Sequence, residues 1–359
     1  MKPSTRQFVH LPVPGTSGTR IAFQLGLSLI ELMISITIGL LILVALSSLF
    51  INQSRARIEL DKSNRMIDNG SYALQLLSDD LRQAGYYGEF VPVSGVPAVP
   101  ASLPDPCSTD PAVMAASLQL AVQGVDATTT TTPAFSPLCA AVASANSVTL
   151  QPGSDILVVR RTSTARPIVQ VHAVPGVHYL QASLCQYDSV PFKIDITPAN
   201  FTLRKLHCTS TSTNYADLRQ FMVDIYFVSK DDKVTGGVGD KIPTLKRIEL
   251  DPNTNQFVVT PLVEGIEYMQ IDYGLDTSGD GIVDSYVADP VSPTNWPNVV
   301  AVQMHLLARN TENTKGYTDS KTYDLGLAGS VTPNGSDKSY KRHAYNQYIR
   351  VVNVAGRRE

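Results

Sequence analysis

Four cysteines, one tryptophan and no excess of positive charge are the scarcities of this 359-residue chain. Its 29 lysines and arginines stand against 32 acidic residues, a net charge of −3. No basic surplus exists to neutralise phosphates, which argues against nucleic acid as a partner. The HExxH, GxSxG, P-loop and GxGxxG patterns are all missing, and with them the usual signatures of metalloproteases, serine hydrolases and nucleotide-binding enzymes. The histidines form no catalytic set. His10 lies near the amino terminus, His172 and His178 flank a Pro-Gly turn, His207 adjoins Cys208, and His305 falls on a strand position expected to face solvent. No CxxC spacing occurs, so a zinc site is not indicated. Trp296, between Asn295 and Pro297, is expected at a strand edge.

With 43% hydrophobic residues, the chain has material for one large domain or two smaller ones. Cys107, Cys139, Cys185 and Cys208 all lie beyond the first hundred residues. In an oxidising compartment four cysteines imply two disulfides with three possible connectivities. The pairing of sequence neighbours, Cys107–Cys139 and Cys185–Cys208, is expected.

The most distinctive stretch is Leu27–Ile51, apolar or small and polar throughout except for Glu31. It exceeds the roughly 20 residues that cross a hydrocarbon core as a helix. Residues 1–26 carry Lys2, Arg6 and Arg20 and no acid, so they are expected to stay cytoplasmic with the rest of the chain across the membrane. A buried carboxylate in lipid costs about 2.5–3.5 kcal/mol at a helix centre, and Glu31 therefore calls for a partner or for snorkelling to headgroups. Cleavage after Gly26 would create an amine at Leu27 able to meet Glu31 of a neighbouring copy.

No proline interrupts the chain between Ile51 and Gly85, and helix is expected to run from Leu27 to Ala84, with a break or kink at Asn69-Gly70. Ile67, Gly70, Leu74, Leu77, Leu81 and Ala84 would form its packing stripe. The segment 86–153 is loop-rich, with one short strand or helix at "ASLQLAVQG". Strands are expected at 154–163, 167–174, 219–230, 244–250, 266–276, along "NVVAVQMHLLAR" and in the terminal "NQYIRVVNVA". In "NVVAVQMHLLAR", Val300, Val302, Met304 and Leu306 share one face and Gln303 and His305 the other, as in a half-wet antiparallel sheet. The fold class is α+β, a long amphipathic helix on an antiparallel sheet.

"DTSGDGIVDSYV" places Asp276, Ser278, Asp280 and Gly281 at positions 1, 3, 5 and 6 of a calcium loop. Ile282 would offer a carbonyl at position 7 and Asp284 an oxygen at position 9. Position 12 is Val287 where a glutamate usually stands, so Asp272 or Asp289 would have to substitute. The other reading is an acidic glycine-rich turn without an ion. Calcium is the only cofactor the sequence raises.

"GLSLIELMISITIGLLIL" resembles the class III signal of type IV pilins and type II secretion pseudopilins. The resemblance implies that a prepilin peptidase cuts between Gly26 and Leu27 and methylates the Leu27 amine. It makes Glu31 an assembly determinant. Residues 27–51 become the transmembrane part of the helix, 52–85 its amphipathic part, and 86–359 a β-rich periplasmic or extracellular domain. Leu27 stands where phenylalanine is usual, and the leader, at 26 residues, is long. Further along, "ALQLLSDDLRQAGYYG", "GSDILVVRR", "VDIYFVS", "TLKRIEL", "LVEGIEYMQIDYGLDTSGDG", "WPNVVAVQMHLLAR" and "YIRVVN" together resemble a PilW-type minor pilin. Relatives would carry a cysteine soon after "AGYYG", where Glu89 stands, so their disulfide pattern does not transfer. The resemblance implies a structural protein of the inner membrane and pilus, partnered by other minor pilins, the major pilin and a tip adhesin. A type II secretion pseudopilin and a membrane-anchored adhesin or binding module are the alternatives.

Overall fold

The computed structural model describes residues 26, 28–93, 95–209 and 211–358. Helix α1 (Leu29–Gln83) leads into α2 (Pro111–Ala116), strand β1 (Val122–Val125), α3 (Pro137–Ala145), β2 (Ile156–Thr162), β3 (Tyr179–Ala182), β4 (Phe192–Asp195) and β5 (Leu218–Ser229). The two-residue strands β6 (Val234–Thr235) and β7 (Val238–Gly239) make a small hairpin. Then come β8 (Thr244–Asp251), β9 (Gln256–Glu264), β10 (Ile266–Leu275), β11 (Ser285–Val287) and β12 (Val299–Arg309). A second small hairpin, β13 (Tyr323–Asp324) and β14 (Ser330–Val331), precedes β15 (Arg342–Arg350) and α4 (Val352–Ala355).

The architecture is α+β, with antiparallel pairing throughout. The chain divides into two compact units, 1–57 and 58–359. In the first, every described residue is exposed, including the apolar run of α1. The second holds a seven-stranded sheet, in which β5 is flanked by β2, β3 and β8, and a four-stranded sheet ordered β11-β10-β12-β15.

Within the second unit, α1 from Ile58 onward covers both sheets. Met66, Gly70, Ala73, Leu77 and Leu81 are buried. They join Leu157, Val159, Tyr226 and Leu245 of the larger sheet and Met269, Ile271, Val302, Met304, Leu306 and Ile349 of the smaller in one core. Ile67, expected in the packing stripe, is 44% exposed. A helix facing two sheets buries a wider arc, and the small residues Gly70 and Ala73 let its backbone approach closely. The expected break at Asn69-Gly70 is absent: α1 continues unbroken, Asn69 Nδ2 donates to the Glu264 carbonyl (3.0 Å) and the Tyr345 hydroxyl to the Ile67 carbonyl (3.0 Å).

The opposite face of the larger sheet is buried too. Ile156, Val158, Phe221, Val223, Ile225, Phe227 and Ile248 pack under Tyr87, Phe90, Met114, Leu118 and the Cys107–Cys139 pair. The loop-rich segment 86–153 is therefore the lid of this sheet, and it contains α2 and α3 besides β1. Burial on both faces explains the continuous apolar run at Ile156–Val159.

Four strand expectations change, one of them the terminal strand, which stops at Arg350 and gives way to α4. Segment 167–174 makes a single bridge, Ile168 with Leu218, and then turns into a 3-10 helix at Gln170–His172. The Gln170 amide donates to the carbonyls of Pro198 (2.9 Å) and Phe201 (3.0 Å), drawing the chain off the ladder. The strands β3, β4 and β9 were not legible. The supposedly wet face of β12 is covered: His305 is only 4% exposed and lies beside Asp272 (3.3 Å), under the loop at Gly326. Trp296 is not at an edge but in the main core, edge-on to Tyr273 at 4.8 Å.

Candidate functional site

The helix that would enter a membrane begins at Leu29, and its start is set by Ser28. The Glu31 amide donates to Ser28 Oγ (3.2 Å), which makes Ser28 the cap and Glu31 the third helical residue, the Ser-x-x-Glu spacing of a capping box. The Ser28–Glu31 spacing is present in the sequence itself. It gives Glu31 a local role at the positive end of the helix dipole in addition to any assembly role. Ser35 donates to the Glu31 carbonyl (2.7 Å), Thr37 to those of Met33 (2.9 Å) and Ile34 (2.8 Å), and Ser48 to that of Ala45 (2.8 Å). Those hydroxyls are satisfied inside the helix, as an apolar medium requires. The best 18-residue window has mean hydropathy 2.7 and is long and apolar enough to cross a membrane. Gly26 is exposed; residues 1–25 and Leu27, on which the expected leader and the expected methylation fall, lie outside the described residues.

The five calcium candidates, Asp276, Ser278, Asp280, Ile282 and Asp284, do share one loop between β10 and β11. The carboxylates of Asp276, Asp280 and Asp284 accept hydrogen bonds from the loop itself. Asp276 is fully buried; its Oδ1 accepts from Gly279 N (2.6 Å) and Ser278 Oγ (3.2 Å), its Oδ2 from Gly281 N (2.9 Å) and Arg358 Nη1 (3.0 Å). Burial alone would raise its pKa, but the Gly281 and Gly279 amides and the Arg358 guanidinium bring it down to about 2. Asp284 Oδ2 accepts from the Thr277 hydroxyl (2.7 Å) and the amides of Thr277 (2.7 Å) and Ser278 (2.9 Å), which lower its pKa. Asp280 accepts from Ile282 N (2.9 Å), and Val287 at position 12 is paired with Tyr273 in the sheet. At Asp276, Arg358 supplies the positive charge an ion would bring. The loop is a self-closed turn that fastens the carboxy-terminal Arg358, which also donates to Pro297 O (2.9 Å) and Asn298 Oδ1 (2.8 Å).

The cysteines pair as expected. Cys107–Cys139 and Cys185–Cys208 have Cα separations of 5.1 and 5.2 Å. Asp105 organises the first: Oδ1 accepts from Cys107 N (3.0 Å) and Ser136 Oγ (2.8 Å), and Oδ2 from Leu138 N (2.9 Å) in the first turn of α3.

A charged cluster that the sequence did not reveal binds α1 to the larger sheet. Asp80 of α1 pairs with Arg161 of β2 (2.5 Å) and accepts from the Tyr226 hydroxyl (3.1 Å). Arg161 also reaches Asp224 (3.4 Å), and Arg247 pairs with Asp224 (3.6 Å) and Glu249. Three carboxylates face two guanidiniums. Burial, and then the negative charge of Asp80, push Asp224 up to about 7.

Residues 225–353 match the family model of the type IV pilus-assembly protein W. No curated protein matches the chain. Among solved structures, a type IV-like pilin from Thermus thermophilus aligns with a TM-score of 0.34 and 10% identity, covering 81% of this chain and 98% of that one. From within β5 to α4, the chain therefore carries the sequence pattern of a type IV pilus-assembly protein W.

Proposed function

We propose that the protein is a minor pilin that primes or caps a type IV pilus together with other minor pilins. Prepilin peptidase cuts after Gly26 and methylates Leu27. The apolar part of α1 first anchors the chain in the inner membrane and then packs among the helices of neighbouring pilins, with Glu31 meeting a neighbour's amino terminus. The sheet unit stands in the periplasm and later on the filament or its tip, in contact with the major pilin, other minor pilins or a tip adhesin. Its role is structural rather than enzymatic.

One observation carries this reading. The pilus-assembly match covers 225–353, whereas the Gly26–Glu31 signal and its capped apolar helix lie far upstream of it. Two separate parts of the chain point to the same class of protein. The amino-terminal signal alone would serve a type II secretion pseudopilin equally well, and the match over 225–353 favours the pilus.

Intact mass and amino-terminal sequencing of the protein from its native membrane test the reading. A chain beginning at methylated Leu27 is expected. Retention of residues 1–26 in cells with active peptidase would overturn it.

A further inference from the structure

β15 is the last strand of the smaller sheet and, among the described residues, pairs only with β12. The direction of its backbone groups follows from parity. Val351 N donates to Val300 O (2.8 Å) and Asn310 N to Lys341 O (3.0 Å). Both bonds lie in the register that sets Ala301 opposite Arg350 and Arg309 opposite Arg342. In an antiparallel ladder, residues alternate between exchanging bonds with the partner and pointing away. The odd-numbered residues His343, Tyr345, Gln347 and Ile349 therefore face β12. Ala344, Asn346 and Tyr348 turn their N–H and C=O groups outward, and all three residues are exposed.

An edge of this kind is a template for another strand, and proteins usually blunt it. The edge strand β9 of the larger sheet carries Pro261 and a register shift opposite Leu245 and Lys246, the expected protection. β15, "RHAYNQYIR", has nine residues and no proline. At its carboxy-terminal end lies an open depression of about 530 Å3, lined by Ile282, Val283, Val300, Ala301, Tyr348 and Ile349. Ile282 and Tyr348 are 65% and 64% exposed there.

We propose that β15 is a strand-addition site, which takes an extended segment of another pilin along Ala344–Tyr348 and seats one of its apolar side chains in the Ile282–Tyr348 depression. An unpaired amide row selects an extended backbone, and the adjoining apolar depression selects one side chain, which is the logic of β-augmentation. A second copy of β15 is a poor occupant. Antiparallel pairing centred on Asn346 sets Arg342 opposite Arg350, and in-register parallel pairing sets each arginine against itself; like charges directly opposed are destabilising. The strand holds no carboxylate, so a neutral or acidic segment suits it better than a basic one.

The choice of partner rests on the pilin reading, and the test separates the two. Full-length protein in detergent is mixed with each purified pilin of the same pilus in turn, and amide hydrogen exchange is followed along 342–350. In the free chain Ala344, Asn346 and Tyr348 should exchange fast and the odd-numbered residues slowly. In the complex the three outward amides should slow by about tenfold or more. Asn346→Pro removes an outward backbone donor and the long, exposed bond from Gln303 Nε2 to Asn346 Oδ1 (3.4 Å) but no ladder bond, so it should nearly keep the melting temperature and weaken binding by about tenfold or more, the loss of roughly one hydrogen bond plus a steric block. Gln347→Pro, which removes a ladder bond, should lower the melting temperature. A complex that leaves the outward amides unprotected overturns the inference, as does binding by none of the pilins. Protection that rises with the concentration of the protein alone would replace the other pilin by a second copy and overturn it too. A chain found correctly cut after Gly26 but unprotected at β15 sinks the strand-addition site and leaves the minor-pilin reading intact.

Discussion

Glycine within a helix costs about 1 kcal/mol relative to alanine, yet Gly70 sits mid-helix in α1. A methyl group there would fall on the Tyr345 ring, 2.6 Å from Cζ and 2.8 Å from the hydroxyl oxygen. Its smallness is thus a packing requirement rather than a hinge. Gly70→Ala should destabilise the protein by up to about 2 kcal/mol net in urea unfolding, since overpacking costs about 1–3 kcal/mol and helix propensity returns about 1. In a Tyr345→Ala background the same change should become stabilising. A loss of equal size in both backgrounds would rule out the ring as the cause. Residue identity alone marked Gly70 as a weak point because the partner that explains it is 275 positions away in sequence. His305 is the same kind of case: alternation along β12 correctly assigned its face, but not the Asp272 and Gly326 neighbours that cover it.

At the scale of elements, local signals found what local physics determines. The apolar run and proline-free stretch gave α1, β-branched alternation gave β5, β8, β10 and β12, and the neighbour pairing gave both disulfides. Segment 167–174 had the same β-branched composition and failed, because the Gln170 amide is held by the 198–201 turn. The cluster under α1 was illegible for a related reason. Asp80, Arg161, Asp224, Arg247 and Glu249 come from α1, β2, β5 and β8, and the sheet registers that align them were unknown. Asp224 has a measurable consequence. Its pKa is near 3.8 when unfolded and about 7 when folded, so between about pH 4 and 7 the folded state holds the extra proton and stability falls as pH rises. Below about 4 both states are protonated and the penalty is absent; above 7 it is complete. Asp80, Glu249, Arg161, Arg247 and Tyr226 face the group throughout. Asp224→Asn removes the titration, so urea midpoints at pH 4.5 and 7.5 should differ less in the variant than in the wild type. An unchanged difference would show that another group sets the slope.

For the whole molecule, the division at Arg57–Ile58 predicts where the chain tolerates a cut. The main core begins at Met66, and the polar fastening of α1 begins at Glu59, which accepts from Thr314 Oγ1 (2.7 Å) and pairs with Lys341 (3.3 Å), while Lys62 pairs with Glu312 (3.2 Å). Upstream, Leu29–Ile51 exposes large apolar side chains at 48–79%, which in water is a liability and in a bilayer or among other helices is a fit. A chain starting at Ile58 retains Glu59, Lys62 and the whole core and loses only that surface. It should purify without detergent as a monomer and unfold in one transition within about 2 °C of the full-length protein. Starting at Ala73 instead deletes Met66 and the Gly70–Tyr345 contact. That should cost more than about 2 kcal/mol, the lower range for removing one large buried side chain. If the Ile58 chain were insoluble or melted far lower, residues 29–57 would have to contribute to the folded state itself, and α1 could not be divided into an assembly half and a core half. If it behaves as expected, the two halves of one continuous helix have separable roles: only the second, from Ile58 onward, belongs to the fold of the chain's own sheets.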